Sequence, residues 1–286
     1  MRMAESLRVA SVNVNGIRAA YRKGMADWLD ARDVDVLALQ EVRADDSHVD
    51  ELLGADWHIL HAPSLTKGRA GVAIASRVAP LAHRVGLGAD DAQDRIQSAG
   101  RWLEADFAFG DDTITVVSNY THSGEAETPK QDAKWAFLDA MTERMHELSD
   151  SAHVAIVGDF NVGHRELDIK NWRGNRKKSG FLPRERAYFD RIFGARGETV
   201  QGVDDSEGTG LGWVDVGRTW AGEVEGPYTW WSNRGQAFDN DTGWRIDYHV
   251  VTPALAERVA DYRVDRYPSY DARWSDHAPV VVDYRV

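Results

Sequence analysis

The sequence predicts an α/β fold in which β-sheets are covered by helices on their outer faces. Three observations carry that reading. Short apolar runs recur along the chain with the length and polar punctuation of buried strands. One long segment between them repeats its apolar residues at spacings of three and four, the helical period. No repeat of fixed period and no Pro- or Ser-rich linker interrupts the chain, so residues 1–286 are expected to form a single domain. A chain of 286 residues, 43% of them hydrophobic, is ample for the core such a fold buries.

In chain order, strands are expected over 8–14, 34–39, 70–75, 102–109, 113–118, 154–157, 246–251 and 279–284. The clearest helix is expected over 129–148. There Trp135, Leu138, Met141, Met145 and Leu148 make one apolar stripe, and Pro129 suits a first helical turn. A second helix is expected over 184–193. Strands interleaved with only some helices imply sheets with helices outside. Strand order does not follow from the sequence.

Several polar residues share one placement, at or just past the end of an apolar run, where sites are commonly grafted. Ser11-Val12-Asn13-Val14-Asn15-Gly16 closes the first run, Leu37-Ala38-Leu39-Gln40-Glu41 the second and Ser118-Asn119-Tyr120 another. Val154-Ala155-Ile156-Val157-Gly158-Asp159-Phe160-Asn161 is the most informative. On an extended backbone residues i and i+2 point the same way, so Asp159 and Asn161 are expected to aim at one point past the strand end. A carboxylate there can hold a metal or orient a water, and a carboxamide can donate to a phosphate oxygen. Asp and Asn also end strands as ordinary turn formers, as Asn13 does on the plainer reading. Glu41 is harder to dismiss, because a carboxylate ending a buried strand is costly unless paired or metal-bound. Asp247, between Ile246 and Tyr248, needs a partner for the same reason, and a protonated histidine is a good one. Tyr120 can be amphipathic core filler, and Asp276-His277 can be a loop salt bridge.

Composition narrows the chemistry. The chain has no cysteine, so disulfides and thiolate-bound zinc are excluded and any metal sits on O and N ligands. No apolar stretch is long enough to span a bilayer. Met1 to Leu7 lacks an apolar core with a cleavage site, so a cytoplasmic location without a membrane partner is expected. The formal net charge of −12 argues against nonspecific nucleic-acid binding over the whole surface. Residues 165–196, however, hold ten Lys or Arg against four Asp or Glu. A basic segment on an acidic body can engage phosphates locally. Asp90-Asp91 and Asp204-Asp205 read as solvated surface.

Taken together, these residues resemble the exonuclease III family of metal-dependent repair nucleases and abasic-site endonucleases. That family lies within the endonuclease/exonuclease/phosphatase superfamily, which includes deoxyribonuclease I. The resemblance runs nearly end to end. It rests on Asn13-Val14-Asn15-Gly16-Ile17-Arg18-Ala19, Leu39-Gln40-Glu41, Gly71-Val72-Ala73, Gly158-Asp159-Phe160-Asn161, Leu167-Asp168-Ile169, Phe181-Leu182-Pro183, Arg245-Ile246-Asp247 and Ser275-Asp276-His277-Ala278-Pro279. It implies a four-layered α/β sandwich of two mixed sheets packed face to face, with the active site at one edge. It also implies Mg²⁺ or Mn²⁺, hard cations that suit oxygen ligands.

By the same resemblance Glu41 binds the metal, Asn13 and Asp276 complete or support its shell, and Asp159, Asn161 and His277 are further candidate ligands. Asp159 orients or deprotonates the attacking water, and Asn161 holds a phosphate oxygen. His277 donates to the charge developing on phosphorus, Asp247 fixes the His277 tautomer, and Tyr120 lies near the phosphate. The expected partner is duplex DNA with abasic sites or 3′ ends, bound by a monomer. Lys170 to Lys178, with Trp172, Arg176 and Lys177, suits phosphate tracking, though a charge run can also be a solvated loop. Arg101 is a further contact. Trp230, Trp231 and Trp244 match a pocket for a flipped-out baseless sugar, with at least one of the three expected to be core.

One stretch departs from the family. A Pro, an amide residue and Gly often follow the tyrosine there, whereas Thr121, His122, Ser123 and Gly124 follow it here, leaving the loop less stiff. Two rival readings remain: a phosphoester hydrolase of inositol phosphates or lipid head groups, and a non-catalytic nucleic-acid-binding relative.

Overall fold

Strand periodicity sorts the apolar side chains into three cores. In β1 (Ser6–Asn13), Leu7 and Val9 enter one core while Ala10 and Val12 enter another. The same alternation runs through β2 (Val36–Gln40) and β4 (Val72–Ser76), whose Val36, Ala38, Val72 and Ile74 join Val9. The computed structural model describes residues 6–88 and 98–286, and Asp90-Asp91 lies outside them.

The remaining strands are β3 (His58–Ala62), β5 (Ala82–Val85), β6 (Trp102–Phe109), β7 (Asp112–Tyr120), β8 (Val154–Asp159), β9 (Thr199–Gln201), β10 (Glu207–Thr209), β11 (Val214–Asp215), β12 (Asp247–Val251), β13 (Val259–Val264) and β14 (Val280–Arg285). One six-stranded sheet has the order β13-β14-β1-β2-β4-β3, and a second has β11-β12-β8-β7-β6-β5. β9 and β10 form a separate hairpin. Both six-stranded sheets are mixed. β1 runs parallel to β2 in the first and β7 parallel to β8 in the second, and the other pairs are antiparallel.

The central core lies between the sheets, where Val9, Val36, Ile74 and Val282 meet Phe107, Ile114, Val116 and Val157. The outer face of the first sheet is covered by helices Ile17–Arg22, Met25–Arg32 and Asp46–Leu53, through Ile17, Met25, Leu29 and Val49. The outer face of the second is covered by helices Pro129–Leu148 and Pro183–Phe193. The result is the expected four-layered sandwich, helix, sheet, sheet, helix. Helix Pro129–Leu148 starts and stops where its pattern predicts, with the Thr128 hydroxyl capping Lys130 N.

Some strand bounds differ from expectation. β7 and β8 continue through Tyr120 and Asp159, so those residues end the ladder rather than follow it. Backbone pairing does not stop where side chains turn polar. β4 begins at Val72, because Ala70 (φ 44°) and Gly71 (φ 91°) are not extended. The unanticipated β3, β5 and β13 are edge strands with few buried residues, and so lack an apolar signature.

Candidate active site

The parallel pairs deliver the site. β1 and β2 finish side by side at Asn13 and Gln40, with Glu41 next, and β7 and β8 finish side by side at Tyr120 and Asp159. β12 runs the other way and opens with Asp247 opposite Asp159. His277 sits just before β14. Two sheets thus contribute to one edge. Glu41 (φ 50°) and Asn161 (φ 50°) hold left-handed backbone there, the kind of local strain that functional sites store. Gly158 (φ 136°) packs so closely on β7 that a Cβ would lie 2.1 Å from the Asn119 carbonyl oxygen, so this turn requires glycine.

Asn13 is the hinge of the cluster. Its Nδ2 donates to Glu41 Oε1 and to Asp159 Oδ2, both at 2.9 Å, tying a carboxylate of one sheet to a carboxylate of the other. The Tyr120 hydroxyl donates to Glu41 Oε1 at 2.8 Å, and Arg43 pairs with Glu41 Oε2. Burial, with Glu41 and Asp159 adding to it, pushes the Tyr120 phenol well above its usual range and keeps it a donor. Asn161 donates to Asp159 twice, from its backbone N to Oδ1 at 2.8 Å and from Nδ2 to Oδ2 at 3.1 Å. Asp159 and Asn161 therefore do converge, but through a left-handed turn rather than along extended backbone. Asp276 accepts from Asn15 Nδ2 at 2.9 Å and Trp230 Nε1 at 3.1 Å. Burial raises its pKa, but His277 and these two donors hold it below the usual carboxylate range.

His277 Nδ1 lies 2.9 Å from Asp247 Oδ2, and Nε2 lies 3.8 Å from Asp159 Oδ2. Thr229 Oγ1 donates to Asp247 Oδ2 at 2.6 Å and fixes that carboxylate. Burial disfavours charge on His277, but the carboxylates of Asp247 and Asp159 outweigh it and raise the pKa to about 10. Burial lifts Asp159 to about 7. His277 and Asn13 oppose the lift, and Asp247 and Glu41 add to it. One ligand atom from each of Asp159, Asp247 and His277 falls within 4.8 Å of the others. His277 Nδ1 is taken up by Asp247 and Nε2 faces Asp159, so this trio reads as an ion-paired triad. The donors better suited to a hard cation are the oxygens of Glu41 and Asp276, which flank the Asn13–Asn15 turn, in a chain without thiols.

Beside His277 the indoles of Trp230 and Trp244 meet edge to face, 5.9 Å between ring centroids, and the Trp230 and His277 rings lie 6.4 Å apart. Both indoles are half-buried. Trp231 is the correction. It is 1% exposed, stacks edge-on against Phe238 in the outer core and donates to Asp241. Trp230 turns toward Trp244 and His277 while Trp231 turns toward Phe238 in the outer core, so the two do not line one pocket.

A family model described as the Endonuclease/Exonuclease/phosphatase family matches residues 10–277, a span running from β1 to His277. The chain belongs to that family. The exodeoxyribonuclease of Bacillus subtilis is 33% identical over 275 residues, covering 96% of this chain and 98% of that protein. Exodeoxyribonuclease III of Haemophilus influenzae is 29% identical, covering 98% of this chain and 100% of that protein. The solved AP endonuclease of Archaeoglobus fulgidus superposes with a TM-score of 0.79 at 26% identity, covering 98% of this chain and all of that one.

Around this endonuclease/exonuclease/phosphatase site, the basic segment divides in two. Arg165 pairs with Glu223, Lys170 with Glu225 and Arg196 with Asp150. Among the described residues Arg173, Arg176, Lys177 and Lys178 make no ion pair, and Arg173 and Arg176 lie over the Trp172 ring at 4.5 and 5.7 Å. The loop they occupy meets the site through Lys170 N, which donates to the Gly243 carbonyl, and through Gly180, packed on Trp244. Arg101 lies 4.7 Å over the Tyr120 ring and donates to the Tyr120 carbonyl, so its visible role is to brace that residue. His122 stacks edge-on with Phe137.

Sequence reasoning missed Arg43, Thr229, Lys134 and a buried ionic network. In that network Arg245 donates to Asp168 at 2.8 Å and to Asp215 at 2.7 and 3.0 Å, and Arg218 shares Asp168. Asp168 and Asp215 overcome the burial penalty on Arg245 and raise its pKa well above the usual value. Burial raises the Asp168 pKa, but the arginines win and pull it to about 2. Arg245→Met removes the guanidinium from both carboxylates, leaving Asp168 to Arg218 and Asp215 with only the Arg218 backbone N–H. It is expected to cost about 3–5 kcal/mol, read from denaturant unfolding.

Proposed function

We propose that this chain is a divalent-metal-dependent DNA repair phosphodiesterase of the exonuclease III type. It removes nucleotides from 3′ ends of duplex DNA, incises at abasic sites and clears blocked 3′ ends. The observation that carries the reading is the Asn13 amide bridging Glu41 and Asp159 beside the Asp247–His277 pair. The names of its relatives support DNA as substrate, and the unpaired cations around Trp172 support contact with its phosphates.

Hydrolysis needs an aligned water, neutralised phosphoryl charge and a stabilised leaving alkoxide. Asp159, fixed by Asn13 and Asn161, orients the water and takes its proton. His277, kept protonated by Asp247, donates from Nε2 to a phosphoryl oxygen. Tyr120 and Asn161, whose hydrogens go to Glu41, Asp159 and the Thr121 carbonyl, would each redirect one to the phosphate. Glu41 and Asp276, with Asn13 in support, would hold Mg²⁺ or Mn²⁺, which would supply charge neutralisation as a Lewis acid. Trp230 and Trp244 receive the baseless sugar. The chain acts as a monomer, a single catalytic domain in the cytoplasm without a membrane partner. Among the described residues no helix is long and apolar enough to cross a membrane.

The test is digestion of end-labelled duplexes with and without one abasic site, in Mg²⁺, in Mn²⁺ and in excess chelator, beside soluble phosphomonoesters. Cleavage is expected at the abasic site and from 3′ ends, abolished by chelator and restored by either ion. Full activity in chelator, or turnover of phosphomonoesters alone, overturns the reading.

A further inference from the structure

On the face of helix Pro129–Leu148 that buries Leu138, Met141 and Met145, the preceding turn carries a lysine in place of an apolar residue. Lys134 is fully buried, and an uncompensated ammonium there is costly. Its Nζ donates to the Asn161 carbonyl at 2.9 Å, to the Ser123 carbonyl at 3.3 Å and to Ser179 Oγ at 3.4 Å, and pairs with Glu185 Oε1 at 2.7 Å. Glu185, also fully buried, accepts from Gly180 N, Leu182 N, Gln131 Nε2 and Ser179 Oγ at 2.7–3.1 Å. Apart from Gln131, on the helix itself, these partners belong to three separate segments: the loop after Tyr120, the turn after β8, and the end of the basic loop.

We infer that Lys134 is a positioning residue, and that its pairing with Glu185 pins these three segments in register so that Asn161 aims Asp159. Asn161 grips Asp159 through its backbone N and its side chain, and grips the Thr121 carbonyl through the same carboxamide. Its own carbonyl points the other way and is held by Lys134. The residue is thus clamped on both sides in a left-handed conformation that has no helix or strand to maintain it. There is little slack. A Cβ on Gly124 (φ 69°) would lie 2.6 Å from Gln131 Oε1 and 3.0 Å from Lys134 Cδ. Lys134 touches neither water nor phosphate in this scheme, and its effect is geometric. Misplacing a catalytic group by about 1 Å can cost on the order of a hundredfold in rate.

The inference rests on the phosphodiesterase reading, so the wild type is assayed in parallel on an abasic duplex. Failure of the wild type to cleave sinks that reading, whatever the variants do. The double variant Lys134→Met/Glu185→Gln removes both charges and leaves neither alone in the core. Folded double variant is expected to show kcat lowered roughly ten- to hundredfold, with KM and duplex affinity in chelator within about threefold of wild type. A kcat within twofold of wild type overturns the inference, as does a loss confined to KM and affinity. If the double variant does not fold, Glu185→Gln alone decides by the same comparison: kcat reduced about fivefold or more at unchanged KM supports the pin, and unchanged kcat overturns it.

Discussion

Asp159→Asn is expected to lower kcat on an abasic duplex by about 10²–10⁴-fold while leaving melting behaviour close to wild type, because the loss is that of a positioned general base. The carboxamide is nearly isosteric with the carboxylate and sits at the end of β8, where the backbone ladder to Tyr120 and Asp247 is independent of the side chain. What is lost is chemical. Asn13 Nδ2, Asn161 N and Asn161 Nδ2 all donate to Asp159, so the site is built around an acceptor-only group. A carboxamide cannot accept a proton from water, and its NH₂ would face one of these donors. Initial rates combined with thermal melting check the expectation. Near-normal turnover in a folded variant would remove Asp159 from the chemistry.

Asp247→Asn is expected to cost about 10²–10³-fold in kcat, the scale seen when one charge-stabilising donor is lost, and to reshape the pH profile. In the wild type Asp159 acts ionised. Its raised pKa makes kcat/KM climb as pH rises through about 7. His277 acts protonated. Its raised pKa keeps that proton until about pH 10, where the alkaline limb falls. Asp247 is the strongest of the groups holding His277 charged. Without it only Asp159 and Asp276 oppose burial, the imidazolium pKa drops, and the alkaline limb moves to lower pH. A pH–rate series on both proteins reads this directly, and an unmoved alkaline limb would separate His277 from that titration.

The sequence conveyed the layered architecture because buried strands and one long amphipathic helix are hydrophobic signals. Helix Pro129–Leu148 came out residue for residue. The edge strands β3, β5 and β13 did not, since a half-exposed strand has no apolar run to recognise. The polar residues of the site were visible as carboxylates and amides at strand ends, where an apolar context made them conspicuous. Their mutual bonding was not visible. Asn13 and Asp159 are separated by 146 positions and meet only because the two sheets stack. Trp230 and Trp231 show the limit from the other side. Composition marks both as aromatic, and only the packing of Trp230 on Trp244 and of Trp231 on Phe238 tells which one faces the site. Lys134 carried a signal that helical periodicity could have found, a cation standing in an apolar stripe.

The Asn13 bridge joins groups carried by different sheets. Whatever occupies the space between residues 41 and 159 therefore grips two layers at once and is lost when they part. Ligand and native state then stabilise one another by mass action, so that saturating product with its ion at a hundred times the dissociation constant would add about 2.7 kcal/mol to the resistance of the whole sandwich against unfolding.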